Sequence, residues 1–241
     1  MEFTLLGAAF VAVATVWLFI YLEAPRGNAA VICDRGLWDI AVTAAVVGVF
    51  VGRFWAVVAS GGNPLTAPAD LLIIRSGVAT GPATVAALAT LAWMTRDNVL
   101  ALADAIAPAA LAGLSGWHAS CLIREGCLGT TTELPWAMFQ SGSSVGRHPV
   151  ELYASILLGV AAIALVVYKA RGSRLPPGVI ASSVLGLAAG IRLLTEPLRP
   201  SLGGGPVAWY WVGLAASIAA IVWLLRTRSD ERSESTVHSP T

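Results

Sequence analysis

Arg192, Glu196 and Arg199 close an apolar run in "GIRLLTEPLRP", at separations of four, three and seven. On a helix that continues past Pro197, that spacing places all three on one face. Two arginines around a glutamate make an anion site, with a purely structural Arg–Glu pair as the plainer alternative. A second group lies in "SSVGRHPVELYASILLGV", where Arg147, His148, Glu151 and Tyr153 surround Pro149. Proline suits the first turn of a helix, where its missing N–H costs nothing. A helix N-terminus offers unpaired N–H groups and partial positive charge to a phosphate, and Arg147 and His148 add to both. Glu151 is placed to pair with Arg147, and Tyr153 supplies a hydroxyl at the membrane interface.

Two further charges sit within apolar runs, at a cost of about 2.5–3.5 kcal/mol each near a span's centre. Arg53, in "GVFVGRFWAV", contacts a lipid head group in a cavity, or else snorkels or pairs with Asp104 for structure, and Gly52 beside it lets another helix come close. Asp104, four residues before Pro108, reads as the structural partner of an arginine. In "HASCLIREGC", His118, Cys121 and Cys127 could supply three soft ligands. Their spacing matches no usual zinc arrangement, and no metal is expected. Cys121 reads as a buried structural thiol, or as half of a bridge to Cys127. Three cysteines are too few for a disulfide framework.

The elements that must position these groups are membrane spans. Of 241 residues, 56% are apolar and only 12% charged, about half the charged share of a soluble protein. A hydrocarbon core takes about 20 mostly apolar residues per helix. Seven runs qualify: roughly Phe3–Leu22, Trp38–Ser60, Gly77–Thr95, Asn98–Ser115, Pro149–Tyr168, Val179–Thr195 and Val207–Leu225. The expected fold is an all-α integral membrane protein of about seven transmembrane helices. With the N-terminus outside, nine arginines and lysines fall on inner segments and four on outer ones, which favours N-out, C-in. The four outer ones, Arg75, Arg124, Arg147 and Arg199, lie in the stretches that carry the chemistry. The first run follows Glu2 and no basic residue, so it reads as a retained helix rather than a leader. Residues 1–225 form one membrane domain, with an outer-face loop region over Gly116–His148. The polar stretch 226–241 reads as a disordered cytoplasmic tail. A net charge of +1 set by short loops gives no reason to expect nucleic acid.

Taken in order, these residues resemble the prolipoprotein diacylglyceryl transferase family of bacterial cytoplasmic membranes. "RHPVELYASILLG" is similar to its Arg-His-Pro-x-x-Leu-Tyr-Glu, with Ala154 in the last place. "GIRLLTEPLR" is similar to its Arg-Phe-x-x-Glu-Phe-x-Arg, and "VGRFWAV" to its Gly-x-Arg-Leu-x-Tyr-Val. The family's central signature, Gly-Arg-x-Gly-Asn-Phe-x-Asn-x-Glu-x-x-Gly, corresponds to "GWHASCLIREGCLG". There His118 stands at the family's arginine, Cys121 at an asparagine and Gly129 at the closing glycine, with Glu125 one place off the glutamate. Thr80, in "ATGPA", stands near the place of the family's histidine.

The resemblance implies transfer of a diacylglyceryl group from phosphatidylglycerol to the lipobox cysteine of a prolipoprotein signal peptide, with release of glycerol phosphate and no cofactor. It implies His118, Arg192 and His148 as catalytic residues. Arg53, Arg147, Tyr153, Glu196, Arg199 and Gly129 would bind the substrates. His118 has two readings: a protonated partner of phosphate, or a neutral base for the thiol with arginines holding phosphate. A diverged member acting on another lipid, or a lipid-binding protein without catalysis, is the alternative. A transporter would also carry intramembrane charge, but would more often show internal repeats with broken helices, and none is evident.

Overall fold

The computed structural model describes residues 2–23, 36–62, 77–122, 127–172, 175–200 and 206–237. Among them are seven α-helices: α1 (Glu2–Glu23), α2 (Leu37–Ala59), α3 (Thr80–Met94), α4 (Val99–Ala119), α5 (Val150–Ala170), α6 (Val179–Thr195) and α7 (Val207–Val237). Five stretches are long and apolar enough to cross a membrane: Trp38–Ala59, Val99–Leu122, Val150–Ala170, Val179–Leu198 and Val207–Ser229. Gly7–Glu23 is a shorter apolar helix. The chain is an all-helical membrane protein. One expected span differs: α3 has only 15 residues, about 22 Å at 1.5 Å per residue, against a hydrocarbon core of about 30 Å. The last helix runs through Val237, where composition alone predicts an unstructured tail.

The chain divides into two compact units, Met1–Arg26 with Ala103–Thr241, and Gly27–Leu102. In the second, α2 and α3 meet through glycines. A Cβ on Gly48 would lie 2.8 Å from the Ala83 carbonyl oxygen, and one on Gly52 2.7 Å from Ala83 Cβ. Lipid tails are as apolar as leucine, so close backbone approach supplies the attraction. Arg53 follows Gly52, and its Nη1 donates to the Gly77 carbonyl at 3.2 Å. Thr80 is the first residue of α3.

The larger unit packs α4, α5 and α6 through Leu111, Ala154, Leu158, Ile180 and Val184, with Phe19 of α1 against them. Gly116 of α4 faces Thr15 and Ala12 of α1 without room for a Cβ. Between α4 and α5, Ser115 Oγ donates to the Ser155 carbonyl at 2.8 Å and Ser155 Oγ to the Ser115 carbonyl at 2.9 Å. Between α6 and α7, Ser217 Oγ donates to the Ser182 carbonyl at 2.7 Å. Interhelical hydrogen bonds of this kind average about 0.6 kcal/mol in a bilayer, so they fix register more than they stabilise.

At one end of this unit Asp104 caps α6. The helix starts at Gly178, which has no side chain to offer, and Asp104 accepts the N–H of Gly178 at 2.8 Å and of Ala181 at 2.7 Å. Those are donors a helix start leaves unpaired. An arginine was the expected partner of Asp104, and the helix start takes its place. Lys169, at the end of α5, pairs with Glu23 at the end of α1.

Candidate functional site

At the opposite ends of the same helices, charges converge. The first turn of α5 carries Glu151, the last turn of α4 His118 and the last turn of α6 Arg192. Each charge matches the partial charge of its own helix end, acid at the N-terminus and base at the C-terminus. After α6 the chain tightens into a 3-10 turn, Glu196–Leu198, which keeps Glu196 and Arg199 on the side of Arg192.

Glu151 is the hub. His118 Nδ1 contacts its Oε2, and Arg192 Nη1 donates to the same oxygen at 3.5 Å. Arg199 Nε lies 3.3 Å from Oε1. Glu196 binds the same two arginines, its Oε2 lying 3.8 Å from Arg192 Nη2 and 3.4 Å from Arg199 Nη1. Tyr210 of α7 steadies Arg192: its hydroxyl accepts from Nε at 3.5 Å, and the guanidinium carbon stands 5.8 Å from the ring centroid. Burial is uneven. The Arg192 side chain is 13% exposed and Arg199 36%, so Arg199 is the arginine with room to move. Glu196 Oε1 is buried with no hydrogen-bond partner among the described residues.

A small cap covers residues 127–149. Its strands β1 (Met138–Phe139) and β2 (Gly146–Arg147) pair antiparallel, Met138 with Arg147 and Phe139 with Gly146. On the other side of β2, Thr131 bridges Arg147, the Thr132 N–H donates to Gly146 at 2.9 Å, and the His148 N–H to Thr130 at 3.0 Å. Two more backbone bonds clamp the cap, one within it and one to the turn after α6. Gly129 N–H donates to the His148 carbonyl at 2.7 Å, and Thr130 N–H to the Leu198 carbonyl at 2.8 Å. Only glycine fits at 129, because a Cβ would lie 2.3 Å from Leu198 O and from Val150 Cγ2.

Arg147 Nη1 donates to the Gly129 carbonyl at 3.2 Å, and its buried Nε has no hydrogen-bond partner among the described residues. Beside it, the Tyr153 hydroxyl accepts from Trp136 Nε1 at 2.8 Å and lies 3.5 Å from His148 Nδ1.

The structure thus brings together His118, Arg192, Glu196 and Arg199, and sets Arg147, His148 and Gly129 in the cap, beside Tyr153 at the start of α5. Arg53 belongs to the other unit. Two expectations change. Glu151 pairs with His118, Arg192 and Arg199 rather than Arg147, because it points toward the ends of α4 and α6. His118 stands on the last helical turn of α4 rather than in a loop. Of the two readings of Cys121, the structure has the bridge to Cys127. The Gly129 backbone takes part in a clamp. Glu125 lies outside the described residues. Among the described residues no group of three or more His, Cys, Asp or Glu could hold a metal ion. The sequence pointed to Glu151 but as a partner of Arg147, and it gave no signal for Tyr210.

Comparison with known proteins extends the agreement beyond the site. The family model described as prolipoprotein diacylglyceryl transferase matches residues 5–226. A phosphatidylglycerol–prolipoprotein diacylglyceryl transferase of Gluconobacter oxydans (strain 621H) is 35% identical over 89 residues, 36% of this chain and 33% of that protein. The protein of the same name from Shewanella sp. (strain ANA-3) is 33% identical over 91 residues, 37% of this chain and 34% of that protein. That of Mannheimia succiniciproducens is 31% identical over 98 residues, 40% and 36% of the two chains. The aligned stretches span about a third of each relative's length. The family match, by contrast, reaches into all seven helices and takes in every charged group at the converging helix ends: the chain belongs to the prolipoprotein diacylglyceryl transferase family.

Proposed function

We propose that this multi-pass membrane protein transfers a diacylglyceryl group from phosphatidylglycerol to the lipobox cysteine thiol of prolipoproteins, at the outer face of the bacterial cytoplasmic membrane. The observation that carries the reading is His118 held on Glu151 among two arginines, at the meeting of three helix ends. A carboxylate can only accept, so His118 donates its Nδ1 proton to Glu151 and keeps the Nε2 lone pair for a substrate proton. A cysteine near its ordinary pKa of about 8.5 is mostly thiol at neutral pH and needs such a base.

His118 Nε2 takes the thiol proton. The thiolate attacks the glyceryl carbon that bears the phosphate ester, forming a C–S bond as the C–O bond breaks. Glycerol phosphate leaves with the electron pair, and the proton on His118 passes to it or to water. The charge that builds on the phosphate calls for fixed cations. Among the described residues, Arg147 is paired with a carbonyl and with no carboxylate, so its charge is available. Arg192 and Arg199 are shared with Glu151 and Glu196. A proton on His118 draws Glu151 toward the imidazolium and frees more of the charge of both arginines for phosphate. Base and anion site are thereby coupled.

The test is purified protein with phosphatidylglycerol vesicles and a lipobox peptide, the peptide's mass being followed. A diacylglyceryl mass gain that falls by about 10²–10⁴ in His118→Ala, the usual worth of a general base, supports the reading. A His118→Ala variant as active as the parent removes His118 as the base. No gain at all, beside an active relative as control, removes the reaction.

A further inference from the structure

We infer that the Cys121–Cys127 disulfide is a positioning element that holds His118 against Glu151. Helix ends fray, because their last carbonyls lack partners, and His118 stands on the last turn of α4. One helical turn later the chain has become the 3-10 turn Ser120–Leu122, which contains Cys121. The other half of the bridge, Cys127, precedes by two residues the Gly129 clamped to His148, and by three the Thr130 clamped to Leu198. His148 leads into α5 and Glu151, and Leu198 into Arg199. The bridge therefore ties the end of α4 to the same backbone that fixes the carboxylate and the outer arginine. Ser115 and Ser155 secure the turn before His118, and the disulfide secures the turn after it. Disulfides persist in oxidising compartments, so a bridge here also places the His118 end of the helices outside the cytoplasm.

Cleaving the bridge releases the α4 end while the clamps at Gly129 and Thr130 still hold the cap. His118 then swings off Glu151, and its imidazole becomes accessible. The consequence for turnover rests on the transferase reading above; the consequence for His118 does not.

The test uses the full chain in phosphatidylglycerol nanodiscs, with the bridge intact, after dithiothreitol, and as Cys121→Ser/Cys127→Ser. Dithiothreitol takes the disulfide to two thiols and becomes its own cyclic disulfide, and peptide mass verifies each state. Diethyl pyrocarbonate modification of His118 is measured against His148 in the same molecules. A several-fold faster modification of His118 on cleavage, with His148 unchanged and the thermal unfolding midpoint kept, is the expected result. Transfer then loses about 10- to 100-fold in kcat, the scale of a misplaced catalytic group, with KM for the lipid unchanged. His118 equally protected with the bridge broken would overturn the inference. So would free thiols in protein purified without reductant, or global unfolding on reduction, which would make the bridge a stabiliser of the whole fold. A parent protein that transfers nothing removes the reaction alone, because His118 reactivity still decides the role of the bridge.

Discussion

Lys169 Nζ donates to the carbonyl oxygen of Asp104 at 2.9 Å, the carbonyl that Pro108, four residues on, leaves without its helical N–H. A proline inside a span is thus repaired from the neighbouring helix. The same ammonium neutralises Glu23, while the Asp104 carboxylate caps α6. Four helices are tied together at the end away from the site.

Lys169→Met should therefore cost about 1–3 kcal/mol, the usual penalty for leaving buried partners unsatisfied, read as a lower unfolding midpoint in detergent. Pro108→Ala restores an N–H for the Asp104 carbonyl. The double variant should be less destabilised than the sum of the single changes, and strict additivity in that cycle would contradict the repair.

In the proposed mechanism Glu151 serves the base and restrains the arginines, so its loss should act in opposite directions on two constants. Glu151→Gln removes the carboxylate that holds His118, and kcat should fall by about 10²-fold or more, by analogy with triads that lose their orienting acid. Among the described residues Arg192 and Arg199 then keep Glu196 as their one carboxylate partner, and KM for the anionic lipid should fall. Steady-state kinetics on vesicles of varied phosphatidylglycerol content separate the two. A rise in KM would show that Glu151 contacts the lipid directly.

Much of this was legible in sequence where the cause is local. Runs of apolar residues locate the helices, since a lipid-facing backbone must satisfy its own hydrogen bonds. The spacing of Arg192, Glu196 and Arg199 predicts their common side because three or four residues make one turn. The identity of the hub was not local. Glu151 meets His118 only because α4 continues beyond Ser115, and that extra length is held by the Ser115–Ser155 bonds and by Glu151 itself. Asp104 misled for the same reason: its partner is the backbone of a helix distant in sequence. Gly129 stands out by its place in a signature, but that the cap needs its lack of a side chain is visible only in three dimensions.

Tyr210 holds Arg192 in two ways that substitution can separate. Tyr210→Phe keeps the ring under the guanidinium and loses the 3.5 Å bond to Nε. Tyr210→Ala loses both. A partly buried cation–π contact is worth about 0.5–2 kcal/mol, so the Ala variant should lose several-fold more transfer activity than the Phe variant. Equal losses would assign the whole effect to the hydroxyl.

Gly129→Ala should be the most damaging single methyl group in the cap. The added Cβ would stand 2.3 Å from Leu198 O and Val150 Cγ2 and 3.1 Å from His148 O, two of them backbone atoms that cannot rotate away. The Gly129–His148 and Thr130–Leu198 bonds must lengthen, and the Gly129 carbonyl that receives Arg147 moves with them. Overpacking of this kind costs about 1–3 kcal/mol. In the proposed mechanism Arg147, which has no carboxylate partner among the described residues, is one of the cations that meet the phosphate, so the loss should appear as a raised KM for phosphatidylglycerol together with a lowered unfolding midpoint. Arg147→Lys would serve as the comparison: it keeps the charge, leaves Gly129 in place, and should raise KM without lowering the midpoint. If Gly129→Ala lowered the midpoint alone, the cap would be a stabilising lid, and Arg147 would have no part in holding the lipid.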